Sequence, residues 1–174
     1  VLESVDVYYQ IQDIIYSGGS WSGSLTQFQE STTYLAGYIS LQSMQEFDLK
    51  LWTENPNGSS DQSNYNDTLE LISHTSMSGI YSIGDDSDDD FIDFTTAVAA
   101  LEYFGICDAV TFNVDAGIYT EHFVIHAITG SSEINTITFQ SIDSDSSSVI
   151  VQYLSSTSSG NYVVQITGAS FIHF

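Results

Sequence analysis

Apolar residues in the first half of the chain recur at every second position. This alternation runs through residues 5–11 and again through 47–51. A period of two predicts half-buried strands, and runs 32–39 and 68–72 predict two more. Turns rich in Gly, Ser and Asn, such as 17–20, separate these runs. Because no helical pattern intervenes, the first half is predicted to form a β-sandwich.

A helical pattern begins near residue 93. Asp93 suits the N-cap position and Gly105 suits the residue that ends a helix. Between them, apolar residues recur at steps of three and four, which draws a single apolar stripe. The stripe comprises Phe94, Ala97, Val98, Leu101 and Phe104. The sequence therefore predicts one amphipathic helix over 93–104.

Short β-branched and aromatic runs surround this helix. An entry strand is predicted at 79–84, and the later runs are 110–114, 123–128, 136–142, 148–154, 162–167 and 171–174. Turns rather than helices separate them, which argues against a doubly wound α/β fold. A stack of coils would bury such runs. The expected interior residues are Val110, Phe112, Val114, Ile137, Phe139, Ile172 and Phe174.

The second half resembles the opening of a right-handed parallel β-helix of the pectin-lyase type. The resemblance covers 79–174 and is carried by the helix stripe, by the turn residues and by the strand after them. The turn and strand residues are Ala116, Gly117, Tyr119, Thr120, Glu121, Asn135, Thr136, Ile137, Thr138 and Phe139. The resemblance implies that the helix caps the first coil, that Gly117 permits a tight turn and that Glu121 lies where strand meets turn. Family enzymes, such as pectinesterases and polysaccharide lyases, carry catalytic Asp, Arg or Lys residues on later coils, so no catalytic residue is carried over.

The first half resembles an immunoglobulin-like module of bacterial surface proteins. The matching segments are 21–25, a threonine-rich run, 51–58 and 61–68. Together the halves predict an all-β chain with an N-terminally truncated immunoglobulin-like sandwich in 1–75. The start of a C-terminally truncated β-helix, with cap helix 93–104, follows in 76–174. This combination is similar to large secreted surface proteins of marine gliding bacteria.

The charge balance narrows the classes of partner. The chain has 174 residues, of which 23 are acidic, and Lys50 is its single cation, so the formal net charge is -22. Such a surface repels phosphate backbones and anionic lipids, which excludes nucleic-acid and membrane-surface roles. No apolar run reaches the length of a membrane span. Self-repulsion at this charge density suits a saline or divalent-rich exterior, so an extracellular or cell-surface location is predicted.

Clusters of oxygen ligands suggest a structural cation. Residues 85–90 carry five carboxylates, those of Asp85, Asp86, Asp88, Asp89 and Asp90. A second oxygen-rich turn contains Asp61, Asn64, Asn66 and Asp67. Hard oxygen donors on loops are what Ca2+ prefers, so weak structural Ca2+ binding is a hypothesis for both. Neither has EF-hand spacing, and the alternative is a solvated acidic loop.

Other reactive residue types form no catalytic constellation. His122 and His126, if on one strand face, stand roughly 13 Å apart, too far to share a metal. Cys107 is alone between Ile106 and Asp108 and is expected to be a small buried residue. Gly-x-Ser-x-Gly is absent. Asn57 and Asn66 each begin a glycosylation triplet, which occurs often by chance.

Two functions fit these observations. The first is a structural or adhesive role in a secreted or cell-surface bacterial protein, with a polysaccharide or cell-surface glycan as partner and no resident cofactor beyond structural Ca2+. The alternative is the N-terminal part of a carbohydrate-active β-helix enzyme, a lyase, hydrolase or esterase whose active site lies beyond residue 174. The segment 1–174 itself is expected to be inert towards polygalacturonate.

Overall fold

The chain is mostly β, in agreement with the all-β class. The computed structural model describes residues 1–37, 39–61, 67–154 and 160–174, which contain strands β1 to β12 and one α-helix, α1. These residues divide into two compact units, Val1–Thr75 and Ser76–Phe174. Strands pair antiparallel in the first unit and parallel in the second.

Unit 1 is built on one four-stranded antiparallel sheet. Its strands are β1 (Leu2–Ile11), β2 (Ile14–Leu25), β3 (Glu46–Glu54) and β4 (Thr68–His74), in the order β2-β1-β3-β4. The alternation read from the sequence places apolar side chains on one face. β2 runs through the predicted turn at 17–20, because an irregularity in the β1–β2 register absorbs one residue near Gly18.

The segment predicted as a strand at 32–39 has no strand in its described residues, which corrects the prediction. Instead the Ala36 N–H donates to the Gly18 carbonyl over 3.0 Å, and the Tyr9 hydroxyl donates to the Ala36 carbonyl over 3.1 Å. Tyr9 also stacks on Tyr16, with ring centroids 5.0 Å apart. The segment thus helps to bury Tyr9, which is the one fully buried apolar side chain in the described part of unit 1.

Unit 2 is a succession of parallel strands around helix α1 (Phe94–Phe104). Its strands are β5 (Met77–Ile83), β6 (Ile106–Val114), β7 (Gly117–Thr120), β8 (Phe123–His126), β9 (Ile137–Ser141), β10 (Val149–Gln152), β11 (Val164–Thr167) and β12 (Ile172–His173). Each of the four strands β6 to β9 pairs with the strand three places later, β6 with β9, β7 with β10, β8 with β11 and β9 with β12. Three strands therefore complete one turn of the chain, and the next turn lies directly on it.

The interior of unit 2 follows the predicted alternation closely. Val110, Phe112 and Val114 of β6 are buried above Ile137 and Phe139 of β9. The rings of Phe112 and Phe139 stack at 4.7 Å. Each fully buried side chain of this size contributes roughly 1.5–3 kcal/mol through removal from water.

The end of the predicted ladder differs from expectation. Ile172 is only half-buried, and Phe174 is 66% exposed although its ring stacks on Phe139 at 5.2 Å. The strand β7 occupies Gly117–Thr120, where the sequence predicted a turn. Its residues gain strand geometry by pairing with β10, a partner about thirty positions away, which local pattern cannot indicate.

Helix α1 is confirmed, with its predicted N-cap. The Asp93 carboxylate accepts a hydrogen bond from the Thr96 N–H at 2.8 Å, and four stripe residues, Phe94, Ala97, Val98 and Leu101, are buried. Phe104, expected in the stripe, is only half-buried. Gly105 ends the helix with φ of 64°, in the range that favours glycine. Its carbonyl accepts the Met77 N–H and so ties the helix end to β5.

Candidate functional site

The parallel register of β5 and β6 brings a group of acidic side chains together at the ends of these strands. Ile83, the last residue of β5, lies opposite Val114, the last residue of β6. Because both strands run in the same direction, the residues that follow them, Gly84 and Asp115, lie side by side. The Asp115 N–H donates to the Ile83 carbonyl at 2.9 Å.

The acidic loop folds back towards this position. Gly84 donates its N–H to the Phe91 carbonyl at 3.0 Å, which closes the loop at its base. Inside it, the Asp86 N–H donates to Asp89 Oδ2 at 3.0 Å. One ligand oxygen from each of Asp86, Asp89 and Asp115 then lies within 4.8 Å of the others. We call these three carboxylates the acidic triad.

Glycine at position 84 permits this close approach. A Cβ on residue 84 would collide with Oδ2 of both Asp89 and Asp115. The backbone itself therefore forms the floor beneath two of the three carboxylates. A side chain here would have to displace the carboxylates of both Asp89 and Asp115.

Burial and nearby negative charge raise the pKa of Asp115 in the acidic triad and of its neighbour Tyr119. Burial, followed by the charges of Asp89, Asp86, Asp143 and Asp85, raises the pKa of Asp115 above its usual 3.8. Burial, followed by the charges of Asp115, Asp89, Asp85 and Glu121, raises the pKa of Tyr119 to about 12. The Tyr119 hydroxyl lies 3.0 Å from the Asp115 carbonyl and 3.2 Å from the Ile83 carbonyl. The site therefore holds more negative charge than its surroundings neutralise.

The donor set of the acidic triad matches a hard cation. Ca2+ takes six to eight oxygen ligands, carboxylates among them, in flexible geometry. Asp86, Asp89 and Asp115 would supply the charged oxygens, and a bound cation would offset their repulsion. Such an ion would join the loop to the end of β6 and act on stability rather than on chemistry.

Only part of the predicted Ca2+ loop reaches this site. Of the five carboxylates named from the sequence, Asp86 and Asp89 belong to the acidic triad, whereas Asp85, Asp88 and Asp90 lie outside it. Asp90 points back to β5, where its Oδ2 accepts the Ser82 N–H at 2.9 Å. Asp115 was missed. A signal exists for it, because an Asp directly after one parallel strand lies beside the residue that follows the neighbouring strand.

A polar groove of about 330 Å3 adjoins the acidic triad, and Asp115, Tyr119 and Glu121 are among its lining residues. Glu121 is committed to structure there. Its carboxylate accepts the N–H groups of Phe94 at 3.0 Å and Thr95 at 2.9 Å, so it neutralises the positive end of helix α1. The groove thus combines a helix anchor with a negatively charged wall.

The histidines and the cysteine lie apart from this site. His126 Nδ1 lies 2.9 Å from Glu102 Oε1. His122 precedes β8 rather than lying in it, and its ring packs 4.0 Å from Tyr153 and 5.2 Å from Tyr162. Cys107 is exposed, which corrects the expectation of a buried thiol. The residue lies at a strand position that points away from the interior, opposite in phase to Ile106.

The remaining sequence candidates fall on unit 1. Asn64 and Asn66 of the second oxygen-rich turn lie outside the described residues, and Asn66 is the acceptor residue of the second glycosylation triplet. Asn57 of the first triplet is engaged in the fold, because its Nδ2 donates to the Val1 carbonyl at 3.0 Å and its Oδ1 accepts the Glu3 N–H at 2.6 Å. A glycan on Asn57 would compete with this anchor.

Comparisons with known proteins leave the function to be argued from the geometry. No protein-family model matches the chain, and searches of curated proteins and of solved structures find no match. Within the residues that the structure describes, no helix has both the length and the apolar character needed to cross a membrane.

Proposed function

We propose that this chain is a structural and adhesive segment of a secreted or cell-surface bacterial protein. In this proposal, 76–174 begins a right-handed parallel β-helix that starts beneath helix α1, and 1–75 is part of an immunoglobulin-like sandwich. The role is to display an extended surface that contacts polysaccharide or cell-surface glycan. The observation that carries the proposal is the parallel pairing of β6, β7, β8 and β9 with the strand three places later.

The pairing pattern supports a solenoid because each further turn of chain could stack on the one before it in the same way. Each turn of chain contributes three strands, and its buried residues stack on their counterparts in the turn before, as Phe139 stacks on Phe112. Stability in such folds is a sum of units and nearest-neighbour interfaces. Long, rigid projections of this kind suit display and contact better than they suit a single enclosed active site.

The handedness follows from a general rule of chain connections. β6 and β9 are parallel neighbours in one sheet, and the chain between them passes through β7 and β8. Connections between parallel strands of one sheet are right-handed in about 98% of cases. We therefore expect a right-handed coil.

Unit 1 supports the proposal through its antiparallel sheet. Strands of seven to twelve residues in the order β2-β1-β3-β4 present one mainly apolar face. An apolar sheet face is stable when a second layer covers it, and the immunoglobulin-like module supplies that layer with a second sheet.

The surface location can be tested in the organism that produces the protein. We expect antibodies raised against residues 1–174 to label intact cells or their secreted fraction. Labelling only after the envelope is permeabilised would contradict the proposal. An antibody against a cytoplasmic protein, which must label permeabilised cells alone, is the control.

The coil architecture can be tested by cross-linking on the background Cys107→Ser. Thr111 and Thr138 are direct parallel partners in β6 and β9, about 4.8 Å apart in adjacent strands and so within disulfide reach. We expect the double variant Thr111→Cys, Thr138→Cys to oxidise to an intrachain disulfide. The matched control, Thr111→Cys with Gln152→Cys, joins strands of different sheets and should stay reduced. Equal oxidation of both would contradict stacked coils.

A further inference from the structure

The polar face of the unit 1 sheet carries two aromatic side chains. Tyr8 of β1 and Trp52 of β3 are direct cross-strand partners, and their rings stack with centroids 5.7 Å apart and planes inclined by 18°. Their neighbours on this face are mainly polar, namely Asp6, Gln10, Lys50 and Glu70. The apolar face needed for packing is the opposite one, which contains Tyr9 and Leu51.

Both rings are half-buried rather than buried. A cross-strand aromatic pair does stabilise a sheet, but that role needs no groove beside it. Here a groove of about 630 Å3 borders Trp52, with Thr68, its neighbour in β4, also among the lining residues. Gln10 of β1 and Ile15 of β2, on the Tyr8 side of Trp52, line the groove as well, so it extends to both sides of the indole.

The indole is held in a fixed orientation. Its Nε1–H donates to Glu54 Oε1 at 2.8 Å, and Tyr8 limits its rotation from the other side. A flat ring fixed in this way loses little conformational freedom on binding, which lowers the entropic cost of association. The groove volume lies in the range of about 300–1,000 Å3 typical of small-molecule sites.

The polar lining suits a ligand rich in hydroxyl groups. Glu54, Asp61 and Asp67 line the groove with carboxylates, and Gln10 and Asn55 add amides. Carboxylates accept strong hydrogen bonds from hydroxyl donors. An anionic ligand would meet this negative lining with one cation nearby, Lys50, which is already paired with Glu70 at 2.8 Å. Charge therefore favours a neutral ligand.

We propose that this groove, with Trp52 as its platform, binds a neutral oligosaccharide. The axial C–H groups of a pyranose ring form an apolar patch that packs on the indole face, while its hydroxyls bond to the carboxylates and amides around the rim. This inference deepens the adhesive role proposed above, because it names the ligand class and the residues that contact it.

The two tryptophans of the chain provide a direct test. Both lie in unit 1, Trp52 at the groove and Trp21 on the opposite face, opposite Val5. In Trp21→Phe, fluorescence reports on Trp52 alone, whereas in Trp52→Phe it reports on Trp21 alone. The intact chain is first screened on an array of neutral, uronic and sulfated glycans, and the neutral glycan with the strongest signal is then titrated into both variants.

We expect binding to neutral glycans only, and a saturable fluorescence change in Trp21→Phe but not in Trp52→Phe. Trp52→Ala should weaken binding at least tenfold. Because this variant also loses a sheet contact, Glu54→Gln provides a second test that keeps both rings, and it too should weaken binding. Circular dichroism checks that each variant is folded.

Three outcomes would overturn the inference. These are no binding to any neutral glycan on the array, preferential binding of uronic or sulfated glycans, and neutral binding that Trp52→Ala and Glu54→Gln leave unchanged. Surface labelling of intact cells, the test of the proposed function, does not depend on these results. The two proposals can therefore fail separately.

Discussion

At the scale of single residues, the acidic triad concentrates charge around one backbone position. Gly84 has no side chain, so Asp89 and Asp115 approach the chain there at a distance that any Cβ would prevent. The raised pKa of Asp115 reports the cost of this arrangement. In the triad a cation would relieve repulsion that the fold otherwise sustains.

Neutralising Asp115 should therefore stabilise unit 2 when no divalent ion is bound. We expect Asp115→Asn to raise the melting temperature of unit 2 by a few degrees in EDTA and to reduce any further stabilisation by Ca2+. Asp88→Asn removes one negative charge from the neighbouring acidic loop but outside the acidic triad, and it serves as the control. Equal effects of the two substitutions would mean that overall charge, and not the triad, matters.

The pKa shift of Asp115 also predicts a pH dependence. Because its pKa is raised in the folded state, folded protein holds the proton more tightly than unfolded protein, and stability from this group rises as pH falls from neutral towards 3.8. Hydrogen bonds lower the pKa of Asp6 and Asp145. As the pH falls below 3.8, the stability that these two carboxylates contribute to the folded protein is therefore lost. Chemical denaturation across pH 4–7 should show a shallower slope in Asp115→Asn than in the parent. Parallel slopes would contradict the assignment.

At the scale of elements, helix α1 is held at its first turn by two carboxylates. Asp93 caps it locally, and Glu121 reaches it from the end of β7. Glu121 thereby connects the end of β7 to the first turn of helix α1. Glu121 therefore has a structural role here, and its hydrogen-bonded partner is the helix.

Replacing Glu121 should loosen this connection. Glu121→Gln keeps the shape but removes the charge that bonds the Phe94 and Thr95 N–H groups, and we expect a loss of about 1 kcal/mol. Hydrogen exchange of the first-turn amides of α1 should accelerate as well. Glu133→Gln, at an exposed position, should leave both unchanged. An unaltered exchange rate in Glu121→Gln would show that Asp93 caps the helix alone.

The stacked aromatic interior gives a second prediction at this scale. Phe112 is fully buried and contacts Tyr81, Phe91 and Phe139. Phe112→Ala should cost about 3–5 kcal/mol, and Ile137→Val, a milder change, about 0.5–1.5 kcal/mol. Ile118→Ala, at a side chain 65% exposed, should cost little. Urea denaturation followed by far-ultraviolet circular dichroism measures all three, and equal losses at positions 112 and 118 would refute the inside-outside assignment.

At the scale of the whole molecule, a net charge of -22 makes stability depend on salt. Repulsion between exposed charges is screened over about 10 Å at 0.1 M salt and about 3 Å at 1 M. Both units carry acidic side chains, and the single cation, Lys50, belongs to unit 1, so raising NaCl should raise the melting temperature of each unit. Tryptophan fluorescence follows unit 1 selectively, because both tryptophans belong to it.

A comparison of CaCl2 with NaCl should distinguish specific Ca2+ binding from general screening of charge. At matched ionic strength we expect CaCl2 to raise the melting temperature of unit 2 more than NaCl does, since the acidic triad adds a specific site to general screening. The excess should disappear in Asp115→Asn. Identical shifts of the melting temperature with the two salts would contradict specific Ca2+ binding. The acidic loop would then be solvated and without a bound ion.

Patterns that depend on near neighbours were legible from the sequence. The stripe from Phe94 to Leu101 predicted helix α1, with Asp93 as its cap, because helical periodicity and capping involve residues only a few positions apart. Alternation in 110–114 and 136–142 predicted which side chains of β6 and β9 are buried, because period two fixes the face of a strand. The all-β class followed from the same runs.

Structure that depends on partners far apart in the chain could not be predicted from the sequence. Residues 32–37 have the composition of a strand, but Ala36 makes only isolated hydrogen bonds, one to Gly18 and one to Tyr9. Gly117–Thr120 has the composition of a turn, but it forms a strand that pairs with β10. The acidic triad joins Asp86 and Asp89 to Asp115 only through the β5–β6 register, and Tyr8 meets Trp52 only through that of β1 and β3. The sequence by itself determined which segments can be helix or strand and which faces they bury. Tertiary structure alone decided which segments lie side by side, because register is set by the packing of residues far apart in the chain.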